Sequence, residues 1–214
     1  SFPVGIQEFL SMTSIIVFYS ILFKIGTNEN PDGGPNYIMA ATHVIFRIMH
    51  AAFMPAIGVG QACATLVGKF LGEKNPDKAE SAIKESLRGS VYMMGVVGII
   101  FISFAQYIVP FFTDDQLAKE MAIQGLRFVG CLQLVDAVCF TLWFALTGAG
   151  DTKIPAIVDI ISHWVFFVPV SYFLGIYLNW GFWGPWIAFG MHLTFFATYI
   201  FIRFRKGKWK EIIV

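Results

Sequence analysis

Long apolar runs, each interrupted by a short polar or Gly/Pro-rich piece, dominate this 214-residue chain. Crossing about 30 Å of hydrocarbon as a helix takes about 20 predominantly apolar residues. Six runs qualify, from about Val4 to Ile25, Asn36 to Val67, Leu87 to Phe112, Met121 to Leu146, Ile154 to Tyr177 and Phe182 to Phe204. Between them lie segments such as Asn28-Glu29-Asn30-Pro31-Asp32-Gly33-Gly34-Pro35 and Glu73-Lys74-Asn75-Pro76-Asp77-Lys78, the residue types that punctuate helices. With no water inside a bilayer, each span must satisfy its own backbone hydrogen bonds, which a helix does. The runs are too long and too continuously apolar for barrel strands. The pattern predicts an all-α, polytopic bundle of six transmembrane helices, with residues 1–214 forming one unit. It also predicts a short helix over 77–84, capped by Asp77 after Pro76 and lying along the membrane interface on a small stripe of Ala79, Ala82 and Ile83.

Charge placement orients the spans. Of fifteen Lys and Arg residues, eleven fall between spans two and three, between spans four and five, or after span six: Lys69, Lys74, Lys78, Lys84, Arg88, Lys153, Arg203, Arg205, Lys206, Lys208 and Lys210. The opposite connections hold only Lys24, Lys119 and Arg127. The positive-inside rule then puts the basic connections and the C-terminus in the cytoplasm, and six spans return the N-terminus to the same side. Trp180, Trp183, Trp186 and Trp209 sit where span ends meet headgroups, which predicts interfacial anchoring. The expected location is a plasma membrane or a bacterial inner membrane. The sequence opens on Ser1 rather than Met, with no secretory leader pattern; processing, or a longer parent chain, is expected.

Composition agrees and adds exclusions. The chain is 57% hydrophobic and 14% charged, where a soluble domain carries about a quarter charged residues. A net charge of +1 offers nothing to nucleic acid. Cys63, Cys131 and Cys139 lie in apolar runs without CxxC or His-rich spacing, which argues against a disulfide framework or a zinc site and for small buried side chains. No GxSxG, HExxH or Walker loop is present, so no enzyme is expected.

Ionisable residues at bilayer depth are costly and point to function or to a paired partner. Asp136 lies in the middle of span four with no basic residue within a helical turn. Unpaired there, its carboxyl holds a proton or a cation, a natural coupling group; the alternative is a neutral Asp hydrogen-bonded across helices. Glu8, early in span one, either joins such a site or snorkels to the interface. Asp159, one to two turns into span five, is expected to be solvated from the helix end. Arg47 shares a helix face with His43 and His50. That stripe lines a polar pathway or pairs with Asp136 or Glu8. His163 and His192 are expected to hydrogen-bond between helices. Pro55 should kink span two, and Gly58/Ala62 and Gly68/Gly72 form small-xxx-small pairs suited to close packing.

Two segments stand out. The first is Pro55-Ala56-Ile57-Gly58-Val59-Gly60-Gln61-Ala62-Cys63-Ala64-Thr65-Leu66-Val67-Gly68-Lys69-Phe70-Leu71-Gly72, with Asn75-Pro76 and Ala79 after it. The second is Leu146-Thr147-Gly148-Ala149-Gly150-Asp151-Thr152-Lys153-Ile154-Pro155, with Pro169, Gly175 and Gly181-Phe182-Trp183-Gly184-Pro185-Trp186 behind it. Both resemble the multidrug and toxic compound extrusion (MATE) family, and the resemblance covers essentially the whole chain. It implies a transporter of two six-helix lobes related by pseudo-two-fold symmetry, of which this chain is the C-terminal lobe, needing an N-terminal six-helix lobe as partner.

The resemblance also implies coupling chemistry. Family members carry an acidic residue on the tenth span, and Asp136 falls there; many carry a second on the seventh, where Phe2-Pro3-Val4 aligns Ser11, with Glu8 one turn earlier. Some branches use an Asp of the other lobe instead. The expected function is efflux of amphipathic or cationic organic compounds driven by inward Na⁺ or H⁺, with no other cofactor. Asp136 and Glu8 would serve coupling, Asp136 binding the ion where it is Na⁺. Met12, Arg47, Phe53, Met54 and Phe140 would line an adaptable substrate cleft. The rival readings are a lipid-precursor flippase of related fold and a non-transporting membrane scaffold, in which Asp136 and Arg47 pair.

Overall fold

The computed structural model describes residues 2–29 and 36–211, and for residues 2–4, 6 and 8 the backbone alone. The connection at 30–35 therefore lies outside the described residues. Six membrane-length helical spans follow one another: α1 (Phe2–Glu29), α2 (Tyr37–Gly72), α3 (Pro76–Ile108), α4 (Gln116–Gly148), a fifth span built from α5 (Lys153–Ile161) and α6 (Val168–Tyr172), and α7 (Trp183–Arg205). The described residues contain no strand. The fifth span is continuous but wound unevenly, because π-helical turns occupy Ser162–Phe167 and Phe173–Tyr177.

The expected interfacial helix at 77–84 does not exist as a separate element. It is the start of α3, which runs 33 residues, about 50 Å at 1.5 Å per residue. Asn75, not Asp77, is the cap: its side chain accepts from the Lys78 N–H at 3.2 Å, and Pro76 occupies the first helical position, where its missing N–H is no loss. Ala79 and Ile83 are buried against Cys63, Val67, Leu146 and Trp209, so the small stripe packs on protein rather than on lipid.

α4 is the hub, packed along α2, α3 and α7. Helices in hydrocarbon gain nothing from excluding lipid, so close backbone approach through small residues supplies the association. A Cβ added at Gly148 would lie 2.3 Å from the Ala64 carbonyl oxygen, and one at Gly98 would lie 2.7 Å from that of Gly130. On α2 the small residues that meet α4 are therefore Gly60, Ala64 and Gly68, at a spacing of four; Gly58 and Gly72, expected to do this, have open space around them. Pro55 interrupts the α2 hydrogen-bond ladder without ending the helix. The aromatic expectation is also corrected at two positions. Trp186 is fully buried among Phe18, Phe46, Phe182 and Phe189, and Trp209 is buried against Phe204, whose carbonyl accepts its indole N–H. Of the cysteines, Cys63 and Cys139 are buried as expected, while Cys131 is exposed.

The turn between α4 and α5 is clamped to the far end of the chain. Gly150 takes φ +81°, which glycine adopts without strain. Asp151 then meets Arg203 of α7 in a two-pronged ion pair, Nε to Oδ2 at 2.7 Å and Nη2 to Oδ1 at 2.8 Å. Nearby, Glu80 of α3 holds both Lys84 and Lys210. Two predictions follow from these contacts. Gly148→Ala should destabilise the purified protein in detergent by about 1–3 kcal/mol through forced separation of α2 and α4. Gly72→Ala should change it by less than about 0.5 kcal/mol, and equal melting curves for the two would contradict the packing described. Arg203→Ala, which strands the buried Asp151 carboxylate, should cost about 1–3 kcal/mol, with Asp151→Asn/Arg203→Ala recovering part of the loss in the same thermal assay.

Candidate ion and substrate site

Where α1 meets the fifth span, sequence-distant polar side chains converge on one carboxylate. Asp159 is 7% exposed. Its Oδ2 accepts from Gln7 Nε2 and from Ser11 Oγ, each at 2.9 Å, while Oδ1 faces His163 Nδ1 at 3.2 Å. Solvation from the helix end, the expectation for Asp159, is replaced by this protein cage. Gln7 and Ser11 stand one turn apart on α1, so both reach the same oxygen. Asp159 and His163 are likewise four apart on the fifth span. His163 is the second residue of the π-helical turn, and its Nδ1 also lies 3.0 Å from the Asp159 carbonyl oxygen, while Ser162 Oγ donates to that oxygen at 3.0 Å. Side chains thus take up a backbone acceptor where the helical ladder changes pitch. Trp164 Nε1 donates to the Leu10 carbonyl at 3.3 Å and ties the same turn to α1.

His192 of α7 completes the group. Its ring lies 4.1 Å from that of His163, between Phe167 and Phe196, and its Nδ1 is buried without a hydrogen-bond partner. The expectation of interhelical hydrogen bonds is corrected for His163, which bonds within its own helix; His192 reaches the fifth span through ring contacts and the Ser162 backbone.

This polar wall borders a cavity of about 390 Å³ whose remaining lining is largely apolar and aromatic, with Met12, Phe140, Trp143 and Phe196 prominent. Of the residues expected in a cleft, Met12 and Phe140 line this cavity. Phe53 does not line the cavity but packs on Phe140, ring centres 5.5 Å apart, behind its wall. Arg47 and Met54 lie elsewhere, on the open face of α2 with His43 and His50. The Glu8 side chain lies outside the described residues. A larger groove of about 670 Å³ between α4 and α7 is lined by Phe, Leu, Ile and Met side chains with a few hydroxyls, a composition that suits lipid chains.

Asp136 sits one turn from the cavity along α4, since Cys139 and Phe140 both line it. It is 3% exposed, and no hydrogen bond or ion pair among the described residues involves it. The alternatives that paired it with Arg47 or bonded it across helices are therefore not realised. Gln133, one turn further along the same helix, is also buried with both amide atoms unpartnered. α4 thus carries a short polar track, Gln133 and Asp136, leading to the cavity floor.

What sequence reasoning missed is the Asp159 cluster. The only signal was that Asp159 and His163 stand four apart in an apolar run; Gln7, Ser11 and His192 come from helices that the sequence cannot bring together.

Comparison with known proteins sharpens the picture. The MatE family model matches residues 32–173. The probable multidrug resistance protein NorM of Thermotoga maritima is 29% identical over 210 residues, covering 98% of this chain and 43% of that protein. Its counterpart of the same description in Pasteurella multocida is 27% identical over 209 residues, with 96% and 43% covered. The chain thus spans less than half the length of these curated relatives. Among solved structures, the outward-facing and inward-facing forms of a multidrug resistance MATE family transporter share the fold, with TM-scores of 0.85 and 0.81 at 20% identity, covering 98% and 100% of this chain and 46% and 48% of those chains. A family model that matches most of the six-span bundle makes this integral membrane protein a member of the MatE family of multidrug efflux transporters.

Proposed function

We propose that this chain supplies one six-helix lobe of an antiporter that expels amphipathic or cationic organic compounds as Na⁺ or H⁺ flows inward. The observation that carries the reading is the isolation of Asp136: a buried carboxyl, unpaired among the described residues, one turn from a cavity walled by Met12, Phe140 and Trp143. In hydrocarbon such a group persists by holding a proton or a cation. Both are exchangeable, and a cationic cargo competes for the same charge. Ion and cargo then favour different arrangements of the lobes, which is what coupling requires.

The Asp159 cage supports the same reading. On the seventh span, where the resemblance implies an acid in many family members, this chain has Ser11, and Ser11 donates to the carboxylate that Asp159 brings from the neighbouring fifth span. The second acidic group of the site is then Asp159, reached across an interface, with Glu8 a further coupling candidate from its place on α1. Flexible Met12 and the aromatic walls would let the cavity take cargoes of different shape. In this reading the basic connections and the C-terminus face the cytoplasm.

A second reading has one observation in its favour. His43, Arg47 and His50 form an exposed basic face on α2, suited to an anionic headgroup, as a flippase of lipid-linked precursors would need. Transport assays with organic cations against anionic lipids separate the two. For the antiport reading, Asp136→Asn should reduce ion-driven efflux of an organic cation at least about tenfold, the effect of a loss near 1.4 kcal/mol. Its level in the membrane should match wild type, and full efflux by this variant would refute the role of Asp136. Ser11→Ala should raise the Na⁺ or H⁺ concentration for half-maximal efflux several-fold without abolishing transport; an unshifted ion dependence would remove the Asp159 cage from the coupling site.

A further inference from the structure

The cluster of Asp159, His163 and His192 has a donor set that ion coupling does not require. One ligand atom from each, a carboxylate oxygen and two ring nitrogens, can be chosen so that all three lie within 4.8 Å of one another. We infer that these three side chains form a binding site for a divalent transition-metal ion of the zinc class, joining the fifth span to α7.

Three observations carry this. First, the donors are of the right kind. Two imidazoles and one carboxylate suit zinc and its neighbours, whereas Na⁺, Mg²⁺ and Ca²⁺ favour oxygen alone. Second, His192 is 6% exposed, and its Nδ1 has no hydrogen-bond partner among the described residues. A buried ring nitrogen left unsatisfied costs free energy comparable to a lost hydrogen bond, and a metal ion would supply the missing partner. Third, the carboxylate is oriented as a ligand would be. Gln7 and Ser11 hold Oδ2 at 2.9 Å each, leaving Oδ1 on the side of the histidines. Outer groups that fix a ligating carboxylate in this way are a regular part of metal sites. Asp159 and His163, four apart, present both groups on one helix face, and the ring-to-ring distance of 4.1 Å brings His192 to the same point from α7. The cavity beside them leaves a fourth position for water, with the Cys139 thiol also on its wall.

The inference concerns binding alone and stands whether or not Asp136 couples transport. It is tested on the purified protein, stripped with a chelator, by titrating Zn²⁺ against a chromophoric competitor. Wild type should take up one equivalent in competition with the dye. His192→Phe keeps an aromatic ring between Phe167 and Phe196 and removes the donor, so it should weaken binding by about 100-fold or more; Gln7→Ala, which only loosens the carboxylate, should weaken it about tenfold. His192→Cys, which replaces one good zinc ligand with another, should bind within about tenfold of wild type. His43→Ala/His50→Ala, altering the exposed pair on α2, should leave the affinity unchanged. Wild-type affinity in His192→Phe would overturn the assignment. So would a loss of binding in the α2 double variant, or the absence of saturable uptake by wild type.

Discussion

Hydrocarbon offers no partner to a polar atom and no reward for hiding an apolar one, and most of this structure follows from those two facts. Without a solvent that drives helices together, association rests on van der Waals contact, which requires backbones to come close. The chain meets that need at two crossings. Gly148 leaves room for the Ala64 backbone, and Gly98 and Gly130 each make room for the other's carbonyl. Both crossings involve α4, which packs along α2, α3 and α7. A position on α4 is therefore enclosed by neighbouring helices over much of its length. Asp136 and Gln133, both on that helix, are among the most deeply buried polar side chains of the bundle.

The same constraint separates the two buried acids. Asp159 has its charge met on every side, by the Gln7 amide, the Ser11 hydroxyl and the His163 ring. Asp136 has none of these among the described residues. A carboxylate caged by hydrogen-bond donors can keep its charge where it lies; one without them is costly to ionise in hydrocarbon. The two acids thus differ in their surroundings: Asp159 lines the cavity from within its cage, and Asp136 stands one turn along α4 from residues that line it. At the basic end of the bundle the logic is different. Asp151 and Arg203 are joined by two parallel hydrogen bonds, a geometry that gives rigidity rather than exchange, and it explains the Gly-Asp turn after α4: the glycine bends the chain so that the acid meets α7.

How much of this the sequence disclosed depends on range. The spans are legible because each is a local property, a long apolar run bounded by helix breakers, and six helices long and apolar enough to cross a membrane are present, α3 starting well before Leu87. That start was misread because a charged amphipathic stretch after Pro76 looks the same whether it lies on a membrane or docks on protein; the burial of Ala79 and Ile83 depends on α2 and the C-terminal turn, far away in sequence. The glycine pairs were read with the right spacing and the wrong register, since Gly58 and Gly60 are indistinguishable until the rotation of α2 about its axis is known. Trp186 and Trp209 have the interfacial signature by position, yet Trp186 is enclosed by Phe18, Phe46, Phe182 and Phe189, and Trp209 packs on Phe204. The Asp159 cage was least legible of all: its hydrogen bonds to Gln7 and Ser11 span about 150 residues, and nothing in α1 marks two small polar residues as partners of an acid on the fifth span. Asp136, by contrast, stood out because its isolation is itself local.

One surface remains that neither packing nor lipid accounts for. Along α2 the exposed positions include His43, Arg47, His50, Met54, Gly58, Gln61, Thr65 and Lys69, three or four residues apart throughout. They form a single stripe about 39 Å long at 1.5 Å per residue, longer than the hydrocarbon is thick. Charge and amide groups facing acyl chains over that depth would be costly, so the stripe must face water or protein. Its composition argues for both. The small and apolar members at its middle suit contact with another helix, and the histidines and arginine toward one end suit a hydrated passage. The curated relatives that this chain matches are more than twice its length, so proteins of their kind have further chain available to cover such a stripe.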